Sequence, residues 1–136
     1  MNSIPIIDSH CHLDFAAFDQ DRERVLSNCQ TVGVNNIVVP GVLANSWESL
    51  LSWSKRSTAV HCALGLHPVF LEQHQEEHLH TLDHLLKDNQ VIAVGEIGLD
   101  FFIKKADIKK DHEKQIYFFK QQLSLAKKHD LSLIHI

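Results

Sequence analysis

Ile4-Pro5-Ile6-Ile7-Asp8-Ser9-His10-Cys11-His12 is the stretch whose reading decides the fold. An apolar run, residues 4–7, leads into two imidazoles one residue apart. On a strand, successive side chains alternate between faces, so His10 and His12 point the same way and could grip one cation together. Cys11 then points away from both, which argues against reading it as a nucleophile. Two histidines alone also fit ordinary hydrogen bonding at a strand end, since the chain holds 11 of them. What favours a metal is a second apolar run that ends in a carboxylate, Val91-Ile92-Ala93-Val94-Gly95-Glu96.

Outward from these runs, short apolar segments recur at 4–7, 36–39, 60–64, 91–94 and 131–134, with starts 24 to 40 residues apart. That is the length of one strand-helix unit, and helical periodicity fills the gaps. Val25, Leu26, Cys29 and Val32 share one helical face, and Gly33 follows where a helix commonly stops. Trp47, Leu50, Leu51 and Ser54 mark a second helix, with Asn45 and Glu48 spaced as a capping box. A third carries Leu79, Leu82, Leu85 and Leu86. His74, His78, His80 and His84 include two pairs at chelating i,i+4 spacing but are expected on its hydrated outer face. The fourth runs over 111–129 with Ile116, Phe119, Leu123 and Ala126 as its buried stripe, and Lys127, Lys128 and His129 suit its negative end.

Strands this apolar are covered on both faces, and alternation with helices implies parallel neighbours joined by right-handed crossovers. The expected fold class is α/β, a TIM-barrel-like (β/α)8 fold cut short after about five strands and four helices, since a complete barrel needs on the order of 250 residues. The 136 residues, 44% hydrophobic and 22% charged, suit one soluble globular unit and argue against disorder. A net charge of -4 argues against nonspecific nucleic-acid binding by the whole surface, while Lys104-Lys105 with Lys109-Lys110 leaves room for a local basic patch. No apolar run reaches membrane-span length and the amino terminus lacks a signal-peptide pattern, so a cytoplasmic protein without membrane contact is expected. Cys11, Cys29 and Cys62, an odd number without CxxC spacing, suggest neither a disulfide framework nor a thiolate zinc site.

In barrels of this kind the site lies where strands end. His10 and His12 follow the first strand, His67 sits in Gly65-Leu66-His67-Pro68 after the third, and Glu96 and Asp100 sit in Gly95-Glu96-Ile97-Gly98-Leu99-Asp100 after the fourth. Neutral imidazoles and a bridging carboxylate can hold two divalent ions and leave positions open for water and a phosphate oxygen. Hydrolysis is the chemistry such a set supports. For Glu96 alone a salt-bridged or helix-capping carboxylate is the plain alternative, and for Asp100 loop hydrogen bonding. Gly65, Gly95 and Gly98 would let backbone turn sharply or approach a ligand.

Residues 7–14, Gly65-Leu66-His67-Pro68 and Gly95-Glu96-Ile97-Gly98-Leu99-Asp100 together resemble the TatD family of metal-dependent hydrolases in the amidohydrolase-like barrel superfamily. The resemblance implies that residues 1–136 are the amino-terminal part of a single barrel domain. It implies His10, His12 and Glu96 as metal ligands, Glu96 as the catalytic bridge between two ions (Mg, Mn or Zn), and DNA as substrate for a deoxyribonuclease. It also implies that Asp8 steadies the histidine loop and that His67 and Asp100 line the substrate groove. The family carries two later histidines and a late aspartate that this stretch does not contain, and His135 falls one residue early for its fifth-strand ligand, on the opposite face. A chain truncated in this way is expected to expose strand edges, self-associate, bind metal weakly and hydrolyse little. The alternatives are a barrel amidase, deaminase or phosphoesterase, disfavoured where those enzymes use a modified lysine at the position of Glu96, and a noncatalytic remnant.

Overall fold

The computed structural model describes residues 4–88, 90–102 and 108–136. Five strands, β1 (Ile6–Asp8), β2 (Val34–Gly41), β3 (Val60–Leu64), β4 (Val91–Ile97) and β5 (Ser132–His135), alternate with four helices. The helices are α1 (Arg22–Thr31), α2 (Trp47–Arg56), α3 (Glu76–Leu85) and α4 (Ile108–His129). The sheet order is β1-β2-β3-β4-β5 with every neighbouring pair parallel. Sequential parallel order is what strand-helix units produce when each helix crosses over the same face, and here it makes a half-barrel. The expected fold class is therefore observed.

The central strands carry the core. Val39, Cys62, Ala63, Leu64, Val94 and Ile97 are fully buried; α2, with Trp47, Leu50, Leu51 and Trp53 buried, packs on β3, and α4 packs on β4. Burying each large side chain of this kind contributes roughly 1.5–3 kcal/mol, so the α2 face alone is a principal source of stability. The outer strands differ. Ile6 and Ile7 of β1 and Leu133 of β5 lie open to solvent, as expected for edges without neighbours among the described residues.

Several local expectations change. The chain stops pairing at Asp8, so His10 and His12 lie beyond β1, not on it. The Asn45–Glu48 capping box is absent, because α2 starts after a short 3-10 turn at Ala44–Ser46 and its cap makes no side-chain bond. A capping box forms instead at Gln75 and His78, ahead of α3. Val32 faces solvent because α1 ends at Thr31, and Gly33, at φ +92°, supplies the left-handed turn that follows. The buried line of α4 is Gln115, Phe118, Gln122 and Ala126. Apart from Ala126 it is displaced by about 100° from the apolar stripe, one residue around the helix, leaving Ile116, Phe119 and Leu123 half-buried. Of the four α3-region histidines, His80 and His84 are exposed and His78 caps the helix, but His74 is buried under the loop that follows β3. Lys104 and Lys105 lie outside the described residues, whereas Lys109 and Lys110 are exposed on the first turn of α4.

Candidate metal centre

Main-chain geometry first brings the ends of β3 and β4 together. A Cβ on Gly65 would lie 2.7 Å from the carbonyl carbon of Gly95, so these strand ends meet at a distance only glycine allows. That contact sets Glu96, the residue after Gly95, at the inner rim. On β1, the Asp8 carboxylate accepts the His10 N–H at 3.1 Å, a local turn that closes the chain just past the strand. Cys11 N–H then donates to Val38 O at 3.0 Å and fixes the intervening residue against β2.

These constraints gather three side-chain atoms. His10 Nε2 and His12 Nε2 each lie 3.2 Å from Glu96 Oε2, and 3.3 Å from one another. The edges of a tetrahedron of ligands around zinc are about 3.3 Å, given metal–nitrogen distances of about 2.0–2.1 Å. The three atoms can thus hold one divalent ion, and they form the one such group among the described residues. The donor set also fits that role better than it fits ordinary hydrogen bonding. One carboxylate oxygen would have to satisfy both imidazoles while their own Nε2 atoms face each other at contact distance. Glu96 is 7% exposed, and a carboxylate buried to that degree requires cationic or strongly donating partners. Around the Glu96 carboxylate lie His10, His12 and, at 3.7 Å from Oε1, His67.

Around this triangle the rim is partly aromatic. The Phe15 ring stacks on His12 with centroids 4.7 Å apart and planes 20° from parallel, limiting the imidazole to one orientation. His12 Nδ1 and Asp14 Oδ1 are both buried without a partner in the described structure. Burial, ahead of every other influence, raises the Asp14 carboxyl above its usual range.

His67 faces the site from the β3 side. Its Nδ1 accepts the Val69 N–H at 3.1 Å, so a neutral ring carries its proton on Nε2, the atom turned to Glu96. Burial pushes the His67 pKa down, more than the Glu96 charge pulls it up, which favours that neutral donor. Asp100 lies farther along the β4 loop, half-buried, with Oδ1 accepting the Phe102 N–H at 3.0 Å. His135, on β5, is exposed and pairs in register with Ile97; it is not part of the triangle.

The sequence reading passed over Gln115 and Gln122 and placed His74 on an outer face. Gln115 and Gln122 are 2% and 1% exposed on α4, and His74 is 3% exposed. Their side chains bond the main chain of the loops that carry Asp100 and His67. A signal existed in the spacing: Gln115, Phe118, Gln122 and Ala126 follow a helical row as regular as the apolar one.

Comparison with known proteins agrees with this geometry. A family model described as TatD related DNase matches residues 7–136. The chain is 38% identical over 130 residues to the uncharacterized metal-dependent hydrolase YjjV of Escherichia coli (strain K12), covering 94% of this chain and 49% of that protein. It is 30% identical to the human deoxyribonuclease TATDN3, covering 94% of this chain and 50% of the relative. The crystal structure of the Escherichia coli YjjV protein, a TatD homologue, superposes with a TM-score of 0.86 at 38% identity, over 96% of this chain and 49% of that one. The chain spans about half the length of the curated relatives it matches.

Proposed function

This chain belongs to the TatD related DNase family, and from that premise we propose that the full-length protein hydrolyses phosphodiester bonds of DNA with divalent ions held by His10, His12 and Glu96. The single observation that carries the reading is the triangle of two imidazole nitrogens and one buried carboxylate oxygen with edges of 3.2–3.3 Å. Divalent ions at such a site, two in the complete family arrangement and of Mg, Mn or Zn type, would offset phosphate charge and acidify water.

The side chains divide the remaining work. His10 and His12 would supply ring-nitrogen ligands, and the Asp8 turn fixes where the first of them sits. Glu96 turns Oε2 toward both histidines, and its carboxylate would hold divalent ions together with them. A neutral His67 donates from Nε2 to a phosphate oxygen, and Asp100 bounds the same groove. The deoxyribonuclease name of the human relative supports nucleic acid as the substrate class.

Residues 1–136 form part of one barrel domain in this reading. Taken alone they would bind ions weakly and cleave little, and the exposed β1 and β5 edges would favour self-association. Among the described residues no helix is long and apolar enough to cross a membrane. The three cysteines are free, which suits a reducing cytoplasm.

The test is cleavage of an end-labelled single-stranded oligodeoxynucleotide by the full-length protein with added Mn2+, Mg2+ or Zn2+, beside p-nitrophenyl phosphate and a cyclic amide. DNA cleavage abolished by EDTA and by Glu96→Gln supports the proposal. Turnover of the cyclic amide with intact DNA overturns it in favour of an amidase.

A further inference from the structure

The loop bearing His67 leaves β3 at Leu64, yet every main-chain polar group from Gly65 to His67 is paired. Gly65 N–H donates to Gly41 O at 3.1 Å, and Gly65 O accepts the Trp47 Nε1–H at 3.3 Å. Leu66 N–H donates to Gln122 Oε1 at 2.7 Å while Gln122 Nε2 returns a bond to Leu66 O at 3.2 Å. His67 N–H donates to Val42 O at 3.0 Å, and His67 O accepts the His74 Nε2–H at 2.8 Å.

The Asp100 loop repeats the device. Asp100 N–H donates to Gln115 Oε1 at 2.8 Å, and Gln115 Nε2 donates to Asp100 O at 2.9 Å. Each glutamine thus gives one loop residue both an acceptor and a donor, past the point where strand pairing ends. The two lie seven residues apart, about two turns, so they share a face of α4. That helix is itself fastened: Lys114 Nζ donates to Leu71 O at 2.9 Å, and Lys128 and His129 meet Asp83 of α3.

Burying a primary amide costs free energy unless both ends are paired, and an apolar side chain would pack that row without the cost. The bonds of the two amides go to main-chain groups and to Asp111, and none of those bonds reaches His10, His12 or Glu96. We propose that Gln115 and Gln122 are positioning residues: through paired amide to main-chain bonds, α4 holds the His67 and Asp100 loops in one fixed relation to Glu96, setting where a phosphate seats. The inference rests on the reading of His67 and Asp100 as groove residues.

The experiment compares Gln122→Met and Gln115→Met with the unaltered full-length protein. Zn2+ affinity by calorimetry, and KM and kcat on a single-stranded oligodeoxynucleotide with Mn2+, are measured for each. Metal affinity is expected within twofold of the unaltered protein, while kcat/KM falls roughly 10- to 100-fold, carried mainly by KM, as loop misplacement predicts. Should the methionine variants unfold, Gln122→Glu and Gln115→Glu keep the acceptor for each loop N–H, lose the donor, and carry the same test. Unchanged kinetics, or metal affinity lost in step with kcat/KM, overturns the proposal. If the unaltered protein cleaves no DNA, the hydrolase reading fails separately. Inorganic phosphate titrated into the Zn2+-loaded proteins then decides the positioning role: weakened binding in the variants supports it, and equal binding overturns it.

Discussion

Acidification from pH 7 to pH 5 should remove about 2 kcal/mol of folding stability through one side chain, His74. The ring is 3% exposed, donates from Nε2 to His67 O at 2.8 Å and lies 5.6 Å from the Phe118 ring. Its Nδ1 is buried without a partner, so no acceptor waits for the N–H that protonation there would create. Burial, the largest influence, lowers its pKa from the ordinary 6.5 to about 4, while the His67 carbonyl opposes the shift. The folded state therefore holds His74 neutral, whereas the unfolded chain protonates it below about pH 6.5. Across that window the unfolded state binds more protons, so stability falls as pH falls from 6.5 towards 4 and is level above about 7. Integrating the two titrations from pH 7 to pH 5 yields the figure of about 2 kcal/mol. Guanidinium unfolding followed by the fluorescence of buried Trp47 and Trp53 measures it, with His74→Gln as the comparison. The variant starts less stable but should lose about 2 kcal/mol less over the same pH interval, the other histidines being common to both chains. Equal pH slopes would refute the assignment of a buried neutral ring.

Other consequences are directly measurable. Glu96→Gln should weaken Zn2+ binding more than about 100-fold in calorimetry, because even changes one shell farther from a metal cost 10–100-fold; unaltered binding would remove Glu96 from the site. Gly65→Ala places a methyl 2.7 Å from Gly95 C and 2.9 Å from Ile97 Cγ2, with an expected cost of about 1–3 kcal/mol in thermal unfolding. A neutral outcome there would show that the β3 and β4 ends do not approach so closely. Bonds from Lys128 and then His129 lower the Asp83 pKa to about 2, so its contribution holds above about pH 4 and is lost as pH falls towards 2. Being a surface pair open to solvent, it should cost only about 0.5–1 kcal/mol on Asp83→Asn at pH 7, less in high salt.

The architecture was legible because strand-helix alternation is a local pattern: apolar segments of strand length, each with a helical stretch between it and the next, admit few arrangements other than sequential parallel strands. That His10, His12 and Glu96 come together was legible for a related reason, since rim positions follow from where each apolar run ends. The geometry behind the pair was not. Alternation along a strand predicts that the two imidazoles converge, yet they converge past Asp8, where a turn and the contact of Cys11 with β2 aim them.

Hydropathy could not find Gln115, Gln122 or His74, because a polar residue, in a helical row or before one, is ordinarily assigned to solvent. Their burial depends on what lies opposite, and that is the main chain of loops 7 to 56 residues away along the chain. Residue order alone determined the strand-helix rhythm and the chemical types at each strand end, because both depend on neighbours within a few positions. Only the tertiary structure decided the 3.2–3.3 Å triangle, the glycine contact between β3 and β4, and the amides that hold two loops to one helix. Those depend on the close packing of distant segments, where a shift of a single residue around a helix exchanges a buried amide for a buried isoleucine.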